Sequence, residues 1–177
     1  MAADQTRPPV APLIRELLES FASTPAFVRD RYLTVLESNR MARAVSPDFA
    51  VGVNLVRAAF LETERHAADE HPSISAGHLA GVLRQSLADH ELDEDFETIV
   101  GELSRRSASF LSAWADGSTG DSTDTFTFPH TAVGPVTLEY EQLAIPNHFD
   151  QTLVIWRGAD DRSCRALERL RGRLSVG

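Results

Sequence analysis

Apolar and polar positions change period several times along this chain, and each change marks an element. Leu13, Ile14, Leu17, Leu18 and Phe21 recur at helical spacing behind Pro12, a residue suited to a first helical turn, and Thr24-Pro25 ends that helix. Ala26-Phe27-Val28 and the run from Tyr32 to Leu36 read as two short strands around Arg29-Asp30-Arg31. Asn39 is placed to cap a short helix carrying Met41, Ala44 and Val45. The middle is helical. Leu55, Val56, Ala59 and Phe60 form one stripe, and His71-Pro72 breaks the pattern. Ser73 can cap the next helix, with Leu79, Val82, Leu83 and Leu87 on one side. Asp93 can cap another, carrying Phe96, Ile99, Val100 and Leu103, and Ser107 a third, with Phe110, Leu111 and Trp114.

The period then falls to two. Phe126, Phe128 and His130 alternate with Thr125, Thr127 and Pro129; beyond Gly134-Pro135, Val136, Leu138 and Tyr140 alternate with Thr137, Glu139 and Glu141. Two strands joined by a turn, each with one buried face, produce this pattern. Polar loops at Gly117–Asp124 and Asn147–Gln151 flank the hairpin, and Leu153–Trp156 is apolar throughout, as in a central strand covered on both sides. Asp160 or Asp161 opens a last helix with Cys164, Leu167, Leu170 and Leu174 inward. A hairpin with an apolar face needs a cover, and the amphipathic helices supply it, so the fold class is α+β.

The length suits one domain with a real core. The formal net charge is -9 and every basic residue is Arg, interspersed with acids. Such a surface repels nucleic acid, so direct DNA binding by this polypeptide is not expected. Cys164 is the only cysteine, the first ten residues lack a signal-peptide core, and no apolar run approaches the roughly 20 residues of a membrane span. The expectation is a soluble, cytoplasmic protein without membrane contact.

The order helix, two strands, helices, three strands, helix is similar to that of a PAS-like sensor domain: a five-stranded antiparallel sheet covered by inserted helices, with an N-terminal and a C-terminal helix. Three segments carry a closer resemblance. TPAFVRDRYLTVLESNRMARAV at residues 24–45 resembles the opening of the MmyB-like ligand-binding domain found behind Xre-type helix-turn-helix modules in bacterial transcription regulators. VGELSRRSASFLSAWA at residues 100–115 resembles that family's helix with a Ser, a Phe and a Trp, here Ser107, Phe110 and Trp114. FPHTAVGPVTLEYEQLAIP at residues 128–146 resembles its hairpin. The chain departs from the family with Ser38 before Asn39 where a Trp is usual, with Glu70-His71-Pro72 in place of an Asp-Trp, and with Thr131 in place of a Pro.

The resemblance implies a pocket between sheet and helices for a small, largely apolar molecule, fatty acids being the associated ligand class. Side chains expected to line it are Phe27, Leu36, Phe60, Leu83, Phe110, Trp114, Phe128, Leu138, Tyr140 and Trp156. For each of them the plainer reading is solid core. The resemblance further implies that residues 1–24 form a lead-in and a connecting, dimerising helix, and residues 25–177 the ligand-binding domain of a homodimer. DNA would be met only through a helix-turn-helix domain. About two dozen residues precede Ala26, too few for that module, so an excised sensor domain is expected, with a natural protein that lost its reader as the alternative.

Other chemistry is thin. His130 and Tyr140 share the apolar hairpin face and could hold a ligand head, or simply satisfy backbone groups. Glu64, His66, Asp69, Glu70, His71 and His78 invite a metal reading, but HAADEH is not HExxH and Pro72 interrupts the helix, so a solvated charged face is expected. No G-x-S-x-G elbow, phosphate loop or dinucleotide fingerprint occurs, and no cofactor is expected. Cys164 reads as a buried, inert thiol. The alternative function is a small enzyme acting on a hydrophobic substrate in the same cavity, which would require His130, Tyr140 and a carboxylate to converge there.

Overall fold

The computed structural model describes residues 9–61, 74–88, 93–117, 124–129 and 131–175. Helix α1 (Pro12–Ser20) leads into β1 (Ala26–Asp30) and β2 (Val35–Ser38). Then come α2 (Arg40–Val45), a 3-10 turn at Pro47–Phe49, α3 (Leu55–Leu61), α4 (Ala76–Ala88), α5 (Glu94–Arg106) and α6 (Ala108–Ala115). Strands β3 (Thr125–Phe128), β4 (Val136–Ala144) and β5 (Gln151–Gly158) precede the closing α7 (Asp161–Leu174). The strands form one antiparallel sheet in the order β2-β1-β5-β4-β3, the expected PAS-like α+β arrangement.

The local signals hold where short-range chemistry sets them. Asn39, Asp93, Ser107 and Asp160 cap α2, α5, α6 and α7 through their side chains. Asn39 does more than cap. Its Oδ1 accepts from the N–H groups of Ala26 and Ala42, at 3.2 and 2.9 Å, and its Nδ2 donates to Thr24 O at 2.8 Å and Leu18 O at 3.3 Å. One buried amide thus ties the end of α1, the start of β1 and the start of α2. Ser75 caps α4, its Oγ accepting from His78 N–H at 3.2 Å; Ser73 lies outside the described residues.

Three boundaries differ from expectation. Residues 31–33 are turn rather than strand, because Asp30 Oδ1 accepts from Tyr32 and Thr34 N–H at 2.9 and 2.8 Å and Leu33 takes a positive φ of 65°. Strand β4 runs on to Ala144, pairing with β5 from Leu138 to its end. Cys164 is exposed; Ser163, Ala166, Leu167 and Leu170 form the inward face of α7. The stripe of α7 is set by the Asp160 cap one turn earlier, which puts Cys164 at the rim beside Gly158. There a Cβ on Gly158 would lie 2.6 Å from Cys164 N.

The sheet separates two apolar clusters. Phe27, Phe49, Phe128, Leu138, Tyr140, Val154 and Trp156 belong to the large one, shared with α2 to α7. Val10, Leu18, Ala26, Val28, Ile145 and Leu153 form the small one, closed by α1. Strand β5 feeds both, as its unbroken apolar run requires.

Candidate functional site

Strand alternation decides what faces the helices. On β1, Phe27 and Arg29 share the face covered by α3 and α4; on β4, Leu138, Tyr140 and Gln142 do; on β5, Val154 and Trp156 do. Register brings Tyr140 opposite Trp156, and Gln142 opposite Val154, which in turn pairs with Phe27. Leu33 from the β1–β2 turn, Leu55 of α3, Ile74, and His78, Leu79 and Val82 of α4 close the other side. These residues surround a cavity of about 30 Å³. At roughly 10–15 Å³ per water on this measure, it has room for about two waters.

The polar groups in this apolar chamber are few and connected. Arg29 is only 6 % exposed. Its Nη2 donates to Gln142 Oε1 at 2.5 Å and its Nη1 to the Asp30 carbonyl at 3.1 Å. Burial pushes the guanidinium down to about 10, while the charges of Tyr140 and Asp30 pull it back up. Tyr140 Oη and His78 Nε2 share a hydrogen bond of 2.6 Å, and His78 Nδ1 meets Asp124 Oδ2 at 3.1 Å. The indole N–H of buried Trp156 has no acceptor among the described residues.

Of the residues expected to line a pocket, Phe27, Tyr140 and Trp156 do so. Phe60, Leu83, Phe110, Phe128 and Leu138 are buried in the same core without reaching the cavity, and Trp114 packs half-buried against it. Phe60 and Phe110 meet edge to face at 5.1 Å, and Trp114 lies between Phe110 and the guanidinium of Arg84. Leu36, expected at the pocket, sits against the α1 cluster on the far side of the sheet, because on β2 it is Val35 that joins the large cluster. His130 and the cluster from Glu64 to His71 lie outside the described residues. His78, expected on a solvated face, is buried at 7 % exposure. No metal-holding group of His, Cys, Asp or Glu occurs among the described residues.

Sequence reasoning missed Arg29, Gln142, His78 and Phe49. Alternation from Phe27 would have turned Arg29 inward, and alternation from Tyr140 would have done the same for Gln142. His78 lies one residue before Leu79 and four before Val82, on the stripe already recognised. Phe49 is stacked on Trp156 at 5.4 Å and tilted against Phe27 at 4.8 Å; a lone aromatic on a 3-10 turn has no period to betray it.

A second, wider groove of about 590 Å³ lies between α1, the β2–α2 junction and α7. Its walls carry the charged side chains Arg15, Glu19, Glu37, Arg40, Arg43 and Arg171, unlike the mainly apolar small chamber.

Compared with known families, residues 10–170 match the MmyB-like transcription regulator ligand binding domain. The chain belongs to that family. No protein with a curated description matches it. For an MmyB-like domain the chamber under α4 is the natural candidate site: mainly apolar walls with a few polar groups among them. No helix among the described residues is long and apolar enough to cross a membrane.

Proposed function

We propose that this MmyB-like domain is the ligand-sensing part of a bacterial Xre-type helix-turn-helix transcription regulator acting in the cytoplasm. It binds a small apolar, fatty-acid-like molecule between the sheet and helices α3 and α4, and it works by binding rather than by catalysis. The observation that carries the reading is the chamber walled by Phe27, Leu33, Leu55, Leu79, Val82 and Trp156, in a chain whose family is a ligand-binding domain of transcription regulators. An acyl chain longer than a few atoms enters only if α4 lifts from the sheet. Each buried CH₂ contributes about 0.8 kcal/mol, so several methylenes offset the lost α4 contacts. That displacement gives binding a mechanical output, which a DNA-binding domain outside this chain would read through α1 or through a change of dimer geometry.

Exposed Leu13, at 74 %, and Leu17, at 39 %, give α1 an apolar outer face suited to a homodimer contact. Native mass spectrometry of protein purified from cells tests the binding reading: a retained or added acyl ligand is expected, and repeated absence of both rejects it. Sedimentation of a chain lacking residues 1–23 tests the dimer: unchanged association rejects α1 as the contact.

A second reading, a small enzyme on a hydrophobic substrate, draws on the chain Asp124–His78–Tyr140, which puts a phenol against an imidazole that a carboxylate orients. Ester turnover lost in Tyr140→Phe would favour it; no turnover with an acyl ester panel would discard it.

A further inference from the structure

We propose that Arg29 is the anchor of an anion-recognition site at the floor of the cavity, seating the carboxylate head of the fatty-acid-like ligand against the sheet. The inference rests on the ligand-binding reading above and assigns its head-group chemistry. A guanidinium presents five N–H donors, and at neutral pH this one carries its charge. Here it is 6 % exposed, and its hydrogen bonds go to two neutral acceptors, a backbone carbonyl and the Gln142 amide. No described carboxylate makes an ion pair with it. Asp30 is next in sequence, but strand alternation turns it to the other face, where Oδ1 accepts from the N–H groups of the β1–β2 turn. Buried cations are ordinarily paired with anions.

The surroundings select the kind of anion. The Trp156 N–H lacks an acceptor among the described residues, and Trp156 lines the cavity together with Arg29, His78 and Tyr140. His78 and Tyr140 bond each other, so Arg29 and Trp156 are the donors beside a cavity whose other walls are mainly hydrocarbon. One fixed positive charge balances one negative charge; a phosphate dianion would leave an uncompensated charge in the same low-dielectric space. The planar fork of Arg matches the two oxygens of a carboxylate. The chamber's small volume keeps the head tightly held and sends the tail toward α4, where Ile74 and Leu79 must yield to it.

The test uses the full chain, with octanoate and 1-octanol as probes in titration calorimetry at neutral pH. Wild type is expected to bind octanoate at least about tenfold more tightly than 1-octanol. Arg29→Met is expected to erase that preference while still binding 1-octanol. Equal binding of the two probes by wild type, or a preference that survives in Arg29→Met, overturns the head-group site and leaves the apolar-ligand reading intact. Failure of wild type to bind either probe overturns both. A measurement on wild type alone guards against an unfolded variant: octanoate labelled with ¹³C at its carboxyl should, when bound, stay ionised at a pH where the free acid is half protonated. A bound carboxyl that titrates like the free acid overturns the proposal.

Discussion

Substituting methionine for Arg29 keeps an unbranched side chain in the strand and removes its charge. Burial lowers the guanidinium from its ordinary value to about 10, net of the attraction of Tyr140 and Asp30. At about 1.36 kcal/mol per unit, the folded state disfavours the charged form by roughly 3 kcal/mol. The two hydrogen bonds to Asp30 O and Gln142 oppose this with roughly 1–2 kcal/mol after competition with water. Arg29→Met is therefore expected to stabilise the domain by about 1–2 kcal/mol at pH 7. Urea unfolding followed by circular dichroism reads this as a higher midpoint with an unchanged slope. The size of the effect also changes with pH in a defined way. Below about 10 the guanidinium is protonated in both folded and unfolded chains, and the full penalty applies. Above about 10 the folded chain sheds its proton before the unfolded chain does, the penalty fades, and the advantage of the variant narrows. A midpoint at or below that of wild type would refute the reasoning and make Arg29 a strut across the sheet. A more stable variant that has lost its acid preference would identify a residue kept for recognition at the expense of the fold.

Other substitutions probe the frame around the site. Asn39→Ala removes a helix cap and leaves the Ala26 N–H and Thr24 carbonyl without their partner; a loss of roughly 3 kcal/mol is expected in the same unfolding assay, and a loss no larger than that of an ordinary exposed cap would show that the amide is not a three-way tie. Gly158→Ala forces a Cβ to within 2.6 Å of Cys164 backbone nitrogen, so thermal melting should fall clearly, whereas Cys164→Ala alone should leave it nearly unchanged. The Asp160 carboxyl is held below its ordinary 3.8 by the backbone N–H of Ser163, then by the Ser163 side chain. A depressed carboxyl stabilises above its unfolded value, so the advantage of wild type over Asp160→Asn should be present at pH 7 and shrink as pH falls through and below 3.8. An advantage independent of pH would show that the cap works without its charge.

What could be read from the sequence was governed by range. The caps at Asn39, Asp93, Ser107 and Asp160 and the alternation through Phe126–Tyr140 are decided within a few residues, and they gave the element order and the sheet. The placement of Phe27, Tyr140 and Trp156 on the cavity followed from the same alternation. Leu36 lies on the far face because β2 begins only after the turn at residues 31–33 and turns Val35 inward, a detail no period reveals. In sequence His78 keeps company with charged neighbours, though its helix stripe points inward. Arg29 looks like part of a turn, because a charged residue next to Asp30 ordinarily is one. Its partner Gln142 lies 113 positions away, and only the pairing of β1 and β4 with β5 brings the two together.

Strand β1 is a single layer of backbone between two environments. Phe27 and Arg29 look into the chamber, while Ala26 and Val28 carry α1 on their backs. Only this one strand therefore stands between the chamber and the outer helix, without a chain of intermediaries. A tilt of the strand that reseats Arg29 must also tip the seat of Leu18 and Ile14, so the wall of the chamber and the bearing surface of α1 are the same object.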